Sequence, residues 1–356
     1  MKILILKSNP RKSGFTEYCV ELFVRGIRDT GIEPEIIDLT AINLGSCRGC
    51  FNCWTATPGK CRQKDDGYQL LHKFLDCNRL VMTSPLYAYS LSNSLKVFME
   101  RTLPLLAPGI KLSTTGKDHN NLRYPQRGPE KMSALIVGGL KDPGHYRGAV
   151  ESLRLYAEGF GIEFCGAMIR PESFFMQFTD TKPKTIKIIE TALIKAGRSF
   201  ASDGKISEEI MHDICLPLAP DLKTFAEYSN IYWEYASHGG DLEEIRKKTR
   251  DDIRIMMSEM ALSIDPVATK DVRCAIQFIF PDKKMMSYLQ IDRGNCIAGL
   301  EHRSPDLSIS CSSEVWTQIV HRETDPLKAL MAGEIVLKGD KSLFRKIGRF
   351  FPPASH

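Results

Sequence analysis

Four cysteines fall within fifteen residues, and no other group of side chains in this sequence is as chemically informative. They follow the pattern C-x2-C-x2-C-x7-C at Cys47, Cys50, Cys53 and Cys61. Such a run can supply the one thiolate per iron that a 4Fe–4S cluster takes, and Gly49 and the Pro58-Gly59 turn would let the backbone fold tightly around it. Four thiolates also satisfy zinc, although structural zinc sites more often use two separated C-x2-C pairs. The spacing therefore favours the cluster and leaves zinc, a disulfide pair and reduced thiols as alternatives.

A polar turn follows the first predicted strand. Residues 2–7 form a short apolar run, typical of a strand buried on both faces of a parallel sheet. From Thr16 to Arg28 apolar residues recur at helical spacing, which places the turn 8–16 at a helix N-terminus. Free N–H groups and the helix dipole bind anions there, and Arg11 adds a fixed charge. The Walker and G-x-G-x-x-G patterns are absent, so ATP and Rossmann-type dinucleotides are disfavoured. The alternative is a capped helix without a ligand.

Strands and helices alternate through the first 170 residues, and this pattern positions the turn. Further strands are predicted at 35–39, 79–83, 132–138 and 162–169, and helices at 65–75 (capped by Asp65 and Asp66), 92–106 and 146–160. The alternation predicts an α/β domain with a doubly wound, five-stranded parallel sheet and right-handed crossovers. The loops 8–16, 84–90 and 138–145 each follow a strand. They should therefore share the carboxyl edge of the sheet, where ligands bind.

Three motifs carry a resemblance to a known family. They are the turn Ser-Asn-Pro-Arg-Lys-Ser-Gly-Phe-Thr, the cysteine run followed by Asp65-Asp66, and Ser84-Pro85-Leu86-Tyr87 with Leu95, Lys96, Phe98 and Arg101. Over residues 1–235 the chain resembles the NADPH-dependent FMN reductase family, and more narrowly its iron–sulfur flavoprotein branch. The resemblance implies a flavodoxin-like fold, non-covalently bound FMN and a 4Fe–4S cluster on the four cysteines.

The same resemblance assigns cofactor-binding positions. It implies phosphate contacts from Asn9, Arg11, Ser13, Gly14 and Thr16. It places Pro85, Leu86, Tyr87 and Ala88 beside the isoalloxazine ring, and Gly138 and Gly139 in a third, more loosely matched loop. Tyr87 and Tyr89 would stack on or flank the ring, unless they only pack at a surface. His145 would approach the flavin, unless it only caps a helix.

A protein that holds both FMN and a 4Fe–4S cluster is expected to transfer electrons. FMN accepts two electrons or one, whereas a 4Fe–4S cluster passes one at a time, and the protein positions and tunes both. We therefore expect an FMN-dependent oxidoreductase that reduces a quinone or another small acceptor. No catalytic residue is predicted, and NAD(P)H and ferredoxin are both possible donors. The alternatives are an NAD(P)H-dependent flavin or quinone reductase without a cluster, and a lipid-binding protein whose flavodoxin-like domain senses redox state.

The rest of the chain divides at Gly239-Gly240, after a predicted domain at 1–182. Residues 183–240 lack strand patterns and predict a helical extension that packs on the first domain or at a subunit interface. Residues 241–356 predict an α+β domain. Its strands are expected at 275–280, 285–291, 295–300, 307–311 and 334–339, the first three antiparallel, with helices at 312–322, 325–333 and 343–351.

This last domain resembles the sterol carrier protein type 2 domain over about 250–352. The resemblance is carried by Asp306-Leu-Ser-Ile-Ser, Trp316 and the run from Pro326 to Asp340. It implies an apolar tunnel that holds a lipid. The lining would come from Phe278, Phe280, Leu289, Ile291 and the stripe Leu343, Phe344, Ile347 and Phe350. The alternative is that these side chains form an ordinary core.

Composition limits the other possibilities. The 356 residues carry a net charge of +5, without long blocks of like charge, which gives no electrostatic case for nucleic-acid binding. The apolar run after Met1 is too short for a signal peptide, and no window suits a membrane span. Eleven cysteines without an export signal predict reduced thiols in the cytoplasm. We also expect a homodimer or homotetramer.

Overall fold

The computed structural model describes residues 1–112, 118–177, 183–300 and 304–352. The chain divides into an amino-terminal unit, Met1–Met176 with Thr185–Pro220, and a carboxyl-terminal unit, Gln177–Lys184 with Asp221–His356. In the amino-terminal unit strands and helices alternate. Its elements are β1 (Ile3–Lys7), α1 (Phe15–Arg28), β2 (Glu35–Asp38), α2 (Gly67–Asp76), β3 (Arg79–Pro85), α3 (Asn93–Arg101), β4 (Leu106–Leu112), β5 (Asp118–Leu122), β6 (Lys131–Val137), α4 (Arg147–Gly159), β7 (Glu163–Arg170), α5 (Pro183–Ser202) and α6 (Glu208–Ile214).

Five of these strands form one parallel sheet in the order β2-β1-β3-β6-β7. In β1, Ile3, Leu4, Ile5 and Leu6 are all buried, as a strand covered on both faces requires. The central strand β3 lies between β1 and β6, and its first six residues after Arg79 are buried too. The predicted doubly wound, flavodoxin-like sheet is confirmed.

Two helices on one face of the sheet cross at unusually close range. A Cβ atom added to Gly26 of α1 would lie 1.9 Å from the carbonyl oxygen of Ile194, and one added to Gly197 of α5 would lie 2.0 Å from that of Phe23. Only glycine fits at either position, so the pair of glycines fixes how α1 packs against α5.

A hairpin interrupts the predicted alternation. The helix expected at 92–106 ends at Arg101, and Pro104 follows in a short 3-10 turn because it cannot continue the helical hydrogen-bond pattern. The chain then forms β4 and β5, which pair antiparallel. Strand β5 reads Asp-His-Asn-Asn-Leu, and its poor β-propensity explains why the sequence does not predict it.

The carboxyl-terminal unit combines a mixed sheet with helices. Its elements are α7 (Leu222–Ser237), α8 (Leu242–Arg250), α9 (Ile253–Leu262), β8 (Arg273–Phe280), β9 (Met285–Asp292), β10 (Asn295–Gly299), β11 (Leu307–Ser310), α10 (Ser313–Val320), α11 (Pro326–Met331), β12 (Val336–Gly339) and α12 (Lys341–Phe350). The sheet order is β10-β9-β8-β11-β12. Strands β8, β9 and β10 are antiparallel as predicted, whereas β11 pairs parallel to β8.

The two units meet in sequence at a different point from the predicted boundary. The Tyr228 hydroxyl on α7 donates to Glu259 at 2.8 Å, and the Tyr235 hydroxyl donates to Asp252 at 2.8 Å. These bonds tie α7 to α9, so the division falls between Pro220 and Asp221, ahead of Gly239-Gly240. The segment 183–240 is thus shared between the units. Among the described residues, no helix is long and apolar enough to cross a membrane.

The apolar side chains expected to line a lipid tunnel form a single core. Phe278, Phe280, Leu289 and Ile291 are buried with Leu343, Phe344 and Phe350, and Ile347 packs against them half-buried. The Phe278 ring lies 4.8 Å from the Trp316 ring, centroid to centroid. This is the arrangement of the alternative interpretation, an ordinary hydrophobic core.

Candidate functional site

Three loops meet at the carboxyl edge of the parallel sheet. The register pairs Lys7 with Thr83 and Pro85 with Val137, so β1, β3 and β6 end at nearly the same level. The loops that follow these strands begin at Ser8, Leu86 and Gly138. The sequence prediction that they share one edge is confirmed.

Hydroxyl groups join the first two loops. The Ser8 hydroxyl donates to the Thr83 carbonyl at 2.7 Å, and the Ser92 hydroxyl donates to Ser8 at 2.6 Å. The Ser92 N–H donates to the Ser84 hydroxyl at 2.9 Å. All these serines are buried. Sequence analysis did not assign them a role, although Ser8 directly follows β1 and Ser92 directly precedes α3.

The first turn presents a helix N-terminus. Helix α1 begins after Gly14, and no side chain of the described residues caps it. Asn9 is buried; its amide donates to the Glu17 carboxylate at 2.7 Å and to the Arg11 carbonyl at 3.1 Å. Its Oδ1 atom is also buried and has no hydrogen-bond partner among the described residues. A buried acceptor left in this state is unfavourable, and a bound hydroxyl or amide would satisfy it.

The charges around that helix end are balanced. Although burial acts to raise it, hydrogen bonds from Lys7 and Asn9 lower the pKa of Glu17, which therefore stays ionised beside its Lys7 partner. Lys12 pairs with Asp38. Arg11 and Ser13 are exposed, Gly14 is half-buried and Thr16 is buried. Arg11 lies three residues before the N-cap Gly14 and is exposed, so its charge is available to an anion bound at the N-terminus of α1.

The second loop makes a tight turn. Tyr87 and Ser90 exchange backbone hydrogen bonds of 3.0 and 2.8 Å around Ala88 and Tyr89, which both have positive φ, at 47° and 60°. Two non-glycine residues in this conformation are costly, and such strain clusters at functional sites. The Tyr87 and Tyr89 side chains are exposed by 44% and 61%. The turn thus holds two aromatic rings at the sheet edge.

The third loop lies directly against the second. A Cβ atom added to Gly138 would lie 2.6 Å from the Tyr146 hydroxyl and 3.0 Å from Cβ of Leu86, whereas Gly139 faces open space. The His145 and Tyr89 rings lie 5.4 Å apart, centroid to centroid. The predicted His145 is therefore at the edge where the loops converge.

A buried carboxylate anchors this third loop, and sequence analysis missed it. Glu172 has a positive φ of 50° and accepts hydrogen bonds from Lys141 at 2.9 Å and from the Leu218 N–H at 2.7 Å. Its own N–H donates to the Leu140 carbonyl at 3.2 Å. No local pattern could have revealed it, because its partners lie 31 and 46 residues away in the sequence.

The cysteine loop is a separate structure between β2 and α2. Gly49 and Phe51 have positive φ, at 61° and 53°, which bends the backbone twice in three residues. The Trp54 indole N–H donates to the Leu103 carbonyl at 3.0 Å, and the Gly59 N–H donates to the Cys53 carbonyl at 2.9 Å. These bonds fold the loop back on itself and fasten it beside the end of α3.

One pocket is lined by all four cysteines of the run, Cys47, Cys50, Cys53 and Cys61. Burial raises the pKa of the Cys53 thiol, and the three neighbouring thiols raise it further. Within the described ranges, no three His, Cys, Asp or Glu side chains converge closely enough to hold a single ion. The donor set nevertheless suits a polynuclear centre, because a 4Fe–4S cluster takes its thiolates at four separate iron atoms.

A buried ion pair closes this pocket. Arg101 lines it and is 3% exposed; it donates to both carboxylate oxygens of Asp65, at 2.6 and 2.8 Å. Hydrogen bonds from Arg101 lower the pKa of Asp65 to about 2. Asp66 stands at the N-cap position of α2, but its carboxylate accepts from the Asn43 N–H, and the Gly67 N–H is bound by Asp65 instead. Both predicted capping residues therefore also fasten the cysteine loop.

Two families match the two parts of the chain. The NADPH-dependent FMN reductase family matches residues 1–117, and the alkyl sulfatase C-terminal family matches residues 252–355. The second match names a different family from the sterol carrier protein type 2 domain, so that resemblance is not confirmed. The sheet order, the convergent loops and the first match together define a flavin-dependent oxidoreductase with a flavodoxin-like fold.

Curated relatives place the chain within that class. An iron–sulfur flavoprotein of Methanocaldococcus jannaschii is 34% identical over 159 residues, which cover 42% of this chain and 81% of the relative. An iron–sulfur flavoprotein of Archaeoglobus fulgidus is 30% identical over 159 residues, 45% of this chain and 69% of the relative. The chain belongs to the iron–sulfur flavoprotein family.

Solved structures resemble the chain more distantly. An NAD(P)H:quinone oxidoreductase from Methanothermobacter marburgensis is 16% identical, covers 56% of this chain and 96% of its own, and has a TM-score of 0.42. An FMN-dependent NADH-azoreductase from Bacillus anthracis, solved in complex with FMN, is 15% identical, covers 56% of this chain and 99% of its own, and also has a TM-score of 0.42.

Proposed function

We propose that this protein is an FMN-dependent electron-transfer oxidoreductase that carries a 4Fe–4S cluster. The observation that carries the proposal is the convergence of three loops on one sheet edge, beside a separate pocket lined by four thiols. Bound FMN would exchange electrons in pairs or singly, and the cluster would exchange them singly. The chain's own residues bind, position and shield these groups.

The first turn holds the phosphate of FMN in this proposal. Asn9, Arg11, Ser13, Gly14 and Thr16 surround the uncapped start of α1, where backbone N–H groups and the helix dipole favour an anion. The buried Asn9 Oδ1, which has no hydrogen-bond partner among the described residues, would accept a hydrogen bond from a ribityl hydroxyl of FMN.

The second and third loops hold the flavin ring. Pro85, Leu86, Tyr87 and Ala88 would bring backbone and one aromatic side chain beside it. Gly138 lets the third loop pack against Leu86, and Gly139, which faces open space, leaves room for the ring. Tyr89 and His145, whose rings are in contact, form the outer wall where an acceptor such as a quinone enters. The strained turn at Ala88 and Tyr89 keeps this wall in place without a ligand.

Cys47, Cys50, Cys53 and Cys61 are the proposed cluster ligands. The surrounding loop is basic: residues 47–64 contain no Asp or Glu, and Arg48, Lys60, Arg62 and Lys64 are all exposed. A small acidic electron carrier of the ferredoxin kind complements this surface, because charge complementarity accelerates and orients encounters. NAD(P)H at the flavin edge is the alternative donor.

The carboxyl-terminal unit is proposed to present a hydrophobic acceptor or lipid to the flavin. The support is the covalent link between the two units; the core around Phe278, Phe280 and Trp316 is packed and would have to open to admit an elongated molecule. A homodimer or homotetramer is part of the same proposal, which rests on the resemblance stated for residues 1–235.

Anaerobic reduction of the purified holoprotein tests the function. Bound FMN should be bleached by reduced ferredoxin or by NAD(P)H and should recover on addition of a quinone. Reduction by ferredoxin should slow as salt is added, because exposed charges are screened. If none of these donors bleaches the flavin, the proposed oxidoreductase function is contradicted.

A further inference from the structure

Helix α3 connects the two candidate cofactor sites. At its first turn, the Ser94 hydroxyl donates to the Ser8 carbonyl at 3.5 Å, at the edge where the FMN loops converge. At its last turn, Glu100 and Arg101 line the cysteine pocket. A helix of nine residues spans roughly 13 Å at ~1.5 Å per residue. The C-terminal end of α3 thus places a buried cation, Arg101, in the lining of the cysteine pocket.

That cation is locked in place from three sides. Asp65 receives two hydrogen bonds from Arg101, and the Gly45 carbonyl receives a third at 2.6 Å. Asp65 in turn accepts from the N–H groups of Gly45 and Gly67. A Cβ atom at Gly67 would lie 2.6 Å from Nη2 of Arg101, so the guanidinium fills the available space. The buried Nε atom has no hydrogen-bond partner among the described residues.

Arg101 and Cys61 line the same pocket. A guanidinium does not lose its proton in proteins, so Arg101 is a permanent cation at the wall of this pocket. Its contacts with Gly45 and Asp65 flank the cysteine loop at both ends of the sequence 45–65, so one side chain holds both ends of the loop.

We propose that Arg101 is the positioning residue of the cysteine loop and that its fixed charge raises the midpoint potential of the cluster held there. The inference rests on the proposed cluster. A positive charge on the wall of the pocket favours the state with one more electron, and groups around a metal centre tune its potential in this way. Asp65 does not line the pocket, so the cation is the member of the ion pair that faces the thiols.

Two substitutions separate these effects. Arg101→Met removes the charge, whereas Arg101→Lys keeps the charge but loses the planar fork that binds both oxygens of Asp65. Arg127→Met is the matched control, because Arg127 pairs with Asp76 on the exposed surface of the same unit. The measurements are iron and acid-labile sulfide per bound FMN, and the midpoint potential of the cluster in an anaerobic redox titration.

We expect Arg101→Met to retain FMN, to hold less iron than the wild type and to show a lower potential in the fraction that carries a cluster. Arg101→Lys should also hold less iron but keep a potential close to that of the wild type, and Arg127→Met should match the wild type in both. If Arg101→Met does not fold, the iron-to-FMN ratio of Arg101→Lys decides: a reduced ratio supports the positioning role and an unchanged one overturns it.

An Arg101→Met protein with full iron and an unchanged potential would overturn the inference. If the wild type itself holds no iron after anaerobic purification, the proposed function fails instead, so the two failures are distinguishable.

Discussion

At the scale of single residues, the candidate phosphate site depends on which charged side chains of the first turn already form ion pairs. Lys12 is bound to Asp38, and Glu17 is bound to Lys7 and Asn9. For Arg11, no ion pair is present within the described part of the chain. It is the residue of this turn whose charge is available to a phosphate.

Replacing Arg11 by Ala should therefore weaken FMN binding. Loss of one charge-assisted hydrogen bond is worth ~1.5–3 kcal/mol, which corresponds to a rise in Kd of roughly 10- to 100-fold. The measurement is FMN affinity by fluorescence titration of the apoprotein. Lys12→Ala is the control, since Lys12 is engaged by Asp38, and should change Kd little. An Arg11→Ala protein with wild-type affinity would contradict the phosphate assignment.

Residues were predictable from the sequence where their chemistry is local. The four cysteines and the turn 8–16 could be predicted from residue type and spacing alone. The Asp65–Arg101 pair and the Lys141–Glu172 pair do not, because their partners are 36 and 31 residues apart and meet only once the sheet has formed. Asp65 and Asp66 are predicted as helix caps. In the structure Asp65 binds the Gly67 N–H, whereas Asp66 makes no side-chain cap bond and instead binds the Asn43 N–H ahead of the cysteine loop.

At the scale of elements, the position of α1 determines the anion site, and its crossing with α5 determines the position of α1. Periodicity predicts both helices but not their contact. The contact is made by Gly26 and Gly197, which are 171 positions apart in the sequence and adjacent only in the folded unit. Strand β5 was missed because its sequence is polar. The parallel pairing of β11 was missed because its short sequence does not show which strand it pairs with or in which direction.

Substituting Gly26 by Ala should destabilise the amino-terminal unit, because the new Cβ would lie 1.9 Å from the Ile194 carbonyl oxygen. Overpacking of this kind costs about 1–3 kcal/mol and should lower the thermal midpoint measured by circular dichroism. In the control Gly159→Ala, nothing lies within 4 Å of the added Cβ. Since alanine favours helices by about 0.5–1 kcal/mol over glycine, that variant should be as stable as the wild type or more so. Equal stability of the two variants would mean that α1 and α5 do not cross this closely.

At the scale of the whole molecule, the chain joins a flavodoxin-like unit to a unit that matches the alkyl sulfatase C-terminal family. Pattern reasoning predicts both classes of fold. It places the boundary at Gly239-Gly240 because glycines mark flexibility, whereas the structure assigns α7 to the second unit through hydrogen bonds of Tyr228 and Tyr235 to α9.

Truncation after Pro220 tests why the two units share a chain. If the second unit presents a hydrophobic acceptor, tethering raises the local concentration of that acceptor to the order of mM. Removing the unit should then lower kcat/KM for a long-chain quinone and leave kcat/KM for a short-chain quinone unchanged. The short-chain substrate is the internal control for folding and FMN loading. A long-chain to short-chain ratio that is the same with and without the second unit would contradict presentation.

The central claim is that one chain holds FMN and a 4Fe–4S cluster, and cluster loss on substitution of a single cysteine tests it most directly. Cys50 is exposed, so Cys50→Ser should disturb the fold little, and Cys165→Ser changes a thiol outside the run. After strictly anaerobic purification, the wild type and Cys165→Ser should show about four irons and four sulfides per FMN and broad visible absorption. Cys50→Ser should lose that absorption and keep the flavin bands. One equivalent of zinc without iron in the wild type, or equal iron in Cys50→Ser, would contradict the account.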